Sequence, residues 1–196
     1  MNSSKVIVHK YFKLYKPYGY LSQFESNARH QKNSKFLGSL FPFPEGTMAI
    51  GRLDKDSEGL LLLTTDGQMS YDISSNTIEK EYYAQVDGII SDEAILIMQK
   101  GIAISIEGIE YTTKTCKVHK LESAPLLPER SKKIRDQRHG ETSWVSIIIT
   151  EGKFRQVRKM TAAVGFPTLR LVRVRVGTNY LDAMQPSEVV EVVRLL

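Results

Sequence analysis

The chain has 196 residues, 41% of them apolar and 25% charged, which suits one globular domain with a sizeable core and excludes a disordered chain or a multidomain assembly. Purely apolar runs such as Leu60–Leu63 are far too short to cross a bilayer, the opening MNSSKVIVHK lacks a secretory apolar region, and a single cysteine, Cys116, excludes an internal disulfide or a multi-cysteine metal site. The formal charge of +5 is lopsided: residues 130–175 hold twelve Lys/Arg against three acids, a net +9, and the remainder carries −4.

Tyr11–Tyr15 reads as a strand stopped by Lys16-Pro17-Tyr18-Gly19, and residues 25–35 as a polar surface loop. Gly59–Thr65 is a buried strand, with Asp66 and Gly67 at the start of a helix. Tyr82–Val86 is a further strand, in which Tyr82 and Tyr83 face opposite ways. Ser91-Asp92-Glu93 supplies an N-cap and an acidic first turn for a helix ending near Lys100-Gly101. Ile102–Glu107 and Tyr111–Lys117 pair as a hairpin, and 122–141 is a long Pro- and Arg-rich connection. Trp144–Thr150 is a strand broken by Glu151-Gly152. The following helix, Arg155–Val164, carries an apolar stripe of Val157, Met160, Thr161 and Val164 beside Arg155, Arg158, Lys159 and Ala162. Leu169–Val176 alternates Leu or Val with Arg, predicting a strand with a basic face, and Val189–Leu195 is the last strand. Strands outnumber helices without alternating with them, so the predicted class is α+β with a mixed or antiparallel sheet.

Most catalytic templates are missing: there is no phosphate-binding G-x-x-x-x-G-K-[ST], no G-x-G-x-x-G and no G-x-S-x-G. His9, His30, His119 and His139 are scattered without ligand spacing, and Cys116 reads as a half-buried strand residue. The concentrated basic segment fits either a polyanion-facing surface or a solvated, salt-bridged one. The unusual segment is Gly51-Arg52-Leu53-Asp54-Lys55-Asp56-Ser57-Glu58-Gly59, which brings two cations and three carboxylates to the entrance of a buried strand. Carboxylates beside a core need partners or their pKa values rise, and the basic helix around Arg158 is an available source.

These residues resemble the central motif of the pseudouridine synthases of the RsuA type. GRLDKDSEGLLLLTTDG carries the likeness, with YFKLYKPYGYLSQF before it and KEYYAQVDG and EGKFRQVRKMTAAVGFPTLRLVRVRVG after it, in the family's order. The likeness spans residue 11 to the MQPSEVVEV tail, and the last third is most similar to the E-type large-subunit enzymes. It implies an α+β fold with a mixed, largely antiparallel sheet of the pseudouridine synthase type. Subdomains of about 1–65 and 66–196 would flank a central cleft in a single catalytic domain, without a separate N-terminal RNA-binding domain.

The resemblance implies an enzyme that isomerises a specific uridine in 23S rRNA, needing no cofactor and no metal. Asp54 is assigned the essential role, as nucleophile at C1′ or C6 or as stabiliser of positive charge on a glycal route, and the sequence leaves these open. Arg158 would pair with Asp54, and Tyr82 would pack on the flipped base. Leu171 would line the uracil site, Lys80 would reach the pocket or a phosphate, and Arg52 would fill the space an extruded base leaves. Lys153, Arg155, Lys159 and Arg173, with Arg170, Arg175 and the cations of 130–138, would hold the RNA backbone. The loop 130–140 would order on RNA. The partner is 23S rRNA or a large-subunit assembly intermediate, the location cytoplasmic, and a monomer is expected. Two other readings remain: a noncatalytic rRNA-binding or ribosome-assembly factor on the same scaffold, and a hydrolase using Asp54 with Asp56 or Glu58.

Overall fold

Seven consecutive buried residues, Glu58–Thr64, form the strand around which the molecule is built. The structure, a computed structural model, describes residues 8–26, 28–31, 33–75, 77–134 and 137–196. In chain order its strands are β1 (Tyr11–Lys16), β2 (Tyr20–Leu21), β3 (Lys35–Phe36), β4 (Met48–Ile50), β5 (Glu58–Thr64), β6 (Lys80–Asp87), β7 (Ala103–Ile106), β8 (Ile109–Thr112), β9 (Lys117–Lys120), β10 (Thr142–Ile149), β11 (Thr168–Val176), β12 (Asn179–Tyr180) and β13 (Val189–Val192). The helices are α1 (Gly67–Ser74), α2 (Asp92–Lys100) and α3 (Gln156–Ala163). None is long and apolar enough to cross a membrane.

A nine-stranded sheet runs β13-β1-β5-β11-β6-β10-β9, with β4 beside β5 and β12 beside β11. Among its described strands every pairing is antiparallel except that of β5 with β11. Both faces are covered. Leu61 and Leu63 join Phe12, Leu14, Tyr82, Met98, Val157 and Met160 in one core, under α2 and α3. Leu60 and Leu62 join Tyr15, Ile73, Val172, Leu181 and Leu195 in the other, under α1 and the C-terminal segment. A strand buried on two faces has no polar alternation, which is why β5 reads as an unbroken apolar run. Gly59, at φ +104°, permits the parallel contact, because a Cβ there would lie 2.3 Å from the Arg173 carbonyl oxygen.

The caps lie where the residue chemistry predicted them. Ser91 accepts from the Ala94 N–H and Asp66 from those of Gln68 and Met69. Three expectations are corrected. Tyr111–Lys117 is no single strand: β8 closes a two-stranded hairpin with β7, and β9 departs to pair with β10. Cys116 lies just before β9, its thiol on the Met98 carbonyl and pushed up to about 11 by burial and by Glu151, so it is an unreactive packing group.

The third correction concerns the basic face of β11. That strand runs between β5 and β6 with a core packed on each face, Leu171 in one and Val172 and Val176 in the other, so its arginines are drawn into the fold. Arg170 is buried on Glu58, with Nε and Nη2 donating at 3.0 and 2.9 Å, and Nη2 also reaches the Pro128 carbonyl. Arg173 is 5% exposed and donates Nε to the Leu60 carbonyl. Arg175 pairs with Glu79 and Glu81. These arginines are taken up by groups within the fold, buried Glu58, partly exposed Glu79 and Glu81, and backbone carbonyls, and Arg173 is not placed to hold RNA phosphate.

Candidate active site

Between β4 and β5 the chain turns tightly at Asp54-Lys55-Asp56-Ser57, with the Ser57 N–H donating to the Asp54 carbonyl at 3.0 Å. The turn is pinned from both sides. Ser22 Oγ donates to the Leu53 carbonyl and accepts the Leu53 N–H, the Gly19 N–H donates to the Lys55 carbonyl, and Arg158 Nη2 donates to the Asp56 carbonyl at 2.8 Å. Asp54 is therefore presented by a fixed backbone, its side chain 24% exposed.

The facing wall is the loop from β10 into α3. Buried Glu151 anchors it, accepting from the Tyr111 hydroxyl, the Lys114 N–H and Gln156 Nε2, while Gln156 Oε1 accepts the Lys153 N–H. Arg155 then adopts a left-handed backbone, φ 53°, rare for a residue with a Cβ. Its two terminal nitrogens each donate to Asp56 at 2.9 Å, and Nη1 lies 3.4 Å from Asp54 Oδ2. This arrangement corrects the expected partner of Asp54. The nearest guanidinium is that of Arg155. Arg158 instead holds the Asp56 carbonyl, with its Nη2 3.3 Å from Ser57 Oγ and 3.6 Å from Asp56 Oδ2. The one-turn offset arises because α3 begins at Gln156, leaving Arg155 in the non-helical capping position aimed across the cleft.

Burial raises the Asp54 carboxyl above the ordinary aspartate range; Arg155, Arg158 and Lys16 pull it down, and the neighbouring charge of Asp56 adds to the rise. Asp56 feels burial too, but its hydrogen bonds from Arg155 and the charges of Arg158 and Arg155 outweigh it and hold this carboxyl low. The two acids are thus separated by environment, the Asp56 carboxyl held low and the Asp54 carboxyl pushed up. Lys16, fully buried with Nζ donating to the Pro17 and Tyr20 carbonyls, is brought down to about 7 by desolvation against the pull of Glu58, Asp54 and Asp56.

Beside Asp54 lies a small pocket of about 80 Å³, walled by Leu53, Tyr82, Ile149, Val157 and Leu171. It shares Arg52, Asp54, Lys153 and Arg155 with a groove of about 840 Å³ that runs outward past Tyr18 and Phe154. The arrangement offers one carboxylate, an apolar seat for a flat ring and a cationic approach. Of the residues singled out in the sequence, Asp54, Tyr82, Arg52, Leu171, Lys153 and Arg155 meet here. Tyr82 is 8% exposed on the core side of β6, and its neighbour Tyr83 is less buried. Among the described residues no hydrogen bond or ion pair ties down Arg52.

Others lie elsewhere. Lys80 is committed to the Ser75 and Thr150 carbonyls, and burial together with Arg173 lowers it to about 8. It borders neither the pocket nor the groove. Lys159 donates to the Ser105 carbonyl. In the 122–141 connection, Arg130 sits 4.7 Å above the Tyr18 ring, while Arg135 and Asp136 lie outside the described residues. The sequence reading missed Lys16, which looks like the end of a strand, and the Glu151–Gln156 clamp, whose residues look like a strand break and a helix start. The density of cations in 153–159 was the only signal available for Arg155.

A sequence profile of RNA pseudouridylate synthase matches residues 10–163. The chain is 41% identical over 175 residues to ribosomal large subunit pseudouridine synthase E of Xanthomonas axonopodis pv. citri (strain 306), covering 88% of each chain. It is 37% identical to the synthase E of Vibrio parahaemolyticus serotype O3:K6, covering 96% of this chain and 74% of the relative. A crystal structure of a pseudouridylate synthase superposes with a TM-score of 0.73 at 26% identity, over 96% of this chain and 72% of that one. Together with the α+β sheet and its central cleft, these matches show that the chain belongs to the RNA pseudouridylate synthase family.

Proposed function

We propose that this enzyme isomerises one uridine of 23S large-subunit ribosomal RNA, with Asp54 as the catalytic carboxylate and with the uridine extruded from the RNA into the pocket beside it. The observation that carries the reading is the placement of Asp54 at the rim of an apolar pocket walled by Tyr82 and Leu171, with a guanidinium 3.4 Å away. Breaking the N1–C1′ bond leaves a flat base that must turn without escaping. The pocket supplies walls for it, and Asp54 supplies negative charge where C1′ becomes electron-poor. C5 then bonds to C1′, loses its proton, and N1 takes one up, so no redox partner enters the balance. Arg52, exposed beside the pocket and without a hydrogen bond or ion pair among the described residues, is suited to stack in the gap left by the extruded base. The names of the relatives support a large-subunit RNA as substrate. The test is incubation of the purified protein with a 23S rRNA transcript, followed by mapping of pseudouridine. One new site is expected, and binding without product would favour the noncatalytic alternative.

The electrostatics give a pH signature. Asp54 acts as an anion, so activity falls as pH drops through its raised pKa. Arg155 is the strongest group holding that pKa down, so Arg155→Met raises it further. The acidic limb of the single-turnover rate is expected at higher pH in the variant, which loses more relative to wild type as the pH is lowered than at neutral pH. Superimposable limbs would remove Asp54 from the rate.

A further inference from the structure

Phe154 is 60% exposed, although it sits between two clamped residues. On one side the Lys153 N–H is bonded to Gln156, itself fixed by Glu151; on the other, Arg155 grips Asp56 with two hydrogen bonds. The ring is therefore held out to water by a firm frame, and it belongs to neither core. A single exposed ring is ordinary; what sets this one apart is the firm frame that holds it and its place in the molecule. The ring borders the groove that contains Asp54. Over the ring, 5.1 Å from its centroid, stands the ammonium of Lys159, tied in place by the Ser105 carbonyl at 2.7 Å. The cation occupies one approach to the ring, and the 60% exposure leaves the rest to the groove. The same construction recurs at Tyr18, another ring on this groove, with Arg130 4.7 Å above it.

We infer that Phe154, backed by Lys159, is a stacking platform for an unpaired RNA base other than the target uridine. The inference rests on the reading above. A pocket of about 80 Å³ has room for little beyond one flat base, so the nucleotides flanking an extruded uridine are left in the groove. There they have lost a stacking neighbour, and an aromatic face replaces it for any base. The cations beside the ring, Lys153, Arg155 and Lys159, favour a polyanion over an apolar protein surface.

The experiment compares variants on a 23S rRNA transcript, by steady-state kinetics and by filter binding. Phe154→Ala is expected to raise KM and Kd about tenfold, the scale of one stacked base, with kcat changed less than about threefold. Phe154→Tyr should restore wild-type KM. Phe154→Lys, which adds a cation but loses the ring, should not. A Phe154→Ala enzyme with wild-type KM and Kd would overturn the inference, as would a Lys variant equal to the Tyr variant. If the wild type binds the transcript but forms no pseudouridine, the catalytic reading fails by itself. The platform is then judged by Kd alone, where Phe154→Ala must still lose about tenfold.

Discussion

Asp54→Asn is expected to lower turnover on 23S rRNA by at least about a thousandfold, in the range found when a single charged or nucleophilic group is removed from an active site. RNA affinity should stay within about threefold, because the cations that face the groove are untouched. The substitution keeps the shape of the side chain and leaves the paired hydrogen bonds from Arg155 to Asp56 in place. The fold should not suffer. A carboxyl whose pKa is raised on folding stabilises the native state only when protonated, and that contribution is lost as pH rises through the raised pKa. At neutral pH the ionised Asp54 is therefore a cost, and the Asn variant should melt at the wild-type temperature or slightly above it. Measuring product formation, RNA binding and thermal unfolding on the same preparation separates these effects. A variant with near-normal turnover would end the assignment of Asp54. One that fails to fold would show that the charge has a structural task that the geometry does not reveal.

Arg170→Met is expected to have the largest effect on stability, a loss of about 3–5 kcal/mol. Arg170 and Glu58 bury their side chains to 7% and 2% exposure and meet through two hydrogen bonds, with the Pro128 carbonyl taking a further one. Removing the guanidinium strands an anion between central strands, and the damage comes from that desolvated charge more than from the lost attraction. The corresponding fall in melting temperature is on the order of 10 °C for a domain of this size. Adding Glu58→Gln to the Arg170→Met chain should recover a large part of it. By contrast, the half-buried Arg175, paired with Glu79 and Glu81, should lose roughly 1 kcal/mol on the same change, because water screens what remains. Denaturant titration of the two single variants and the double variant decides the matter. An Arg170→Met loss below about 1 kcal/mol would mean that Glu58 finds another partner or a proton.

The comparison of these two arginines bears on what the sequence could and could not disclose. The run Leu60–Leu63, the caps at Asp66 and Ser91, and the stripe Val157-Met160-Thr161 were legible because each follows from local periodicity or a local hydrogen bond. The crowding of charge at 52–58 marked the site for the same reason. What stayed hidden depends on pairing across long stretches of chain. The arginines of β11 look like a solvent face until cores pack on both sides of the sheet and Glu58, the Leu60 carbonyl and Glu81 take up their guanidinium groups. The partner of Asp54 moved from Arg158 to Arg155 because one left-handed residue ahead of α3 redirects a side chain, a conformation that no residue type at that position announces. β4, only three residues long in a Pro- and Gly-rich stretch, has too short a pattern to stand out.

Among the described strands of the nine-stranded sheet the one parallel pairing, β5 on β11, joins residues more than a hundred positions apart; the turn bearing Asp54 leans on Arg155 and Arg158, and the start of β5 on Arg170, all from the same late region. During synthesis the first half of the chain leaves the ribosome with this turn unsupported. A nascent polypeptide that has not yet reached α3 and β11 lacks Arg155, Arg158 and Arg170 and cannot brace the cleft. The cleft can be completed only once β11 has been synthesised, because that strand lies between β5 and β6.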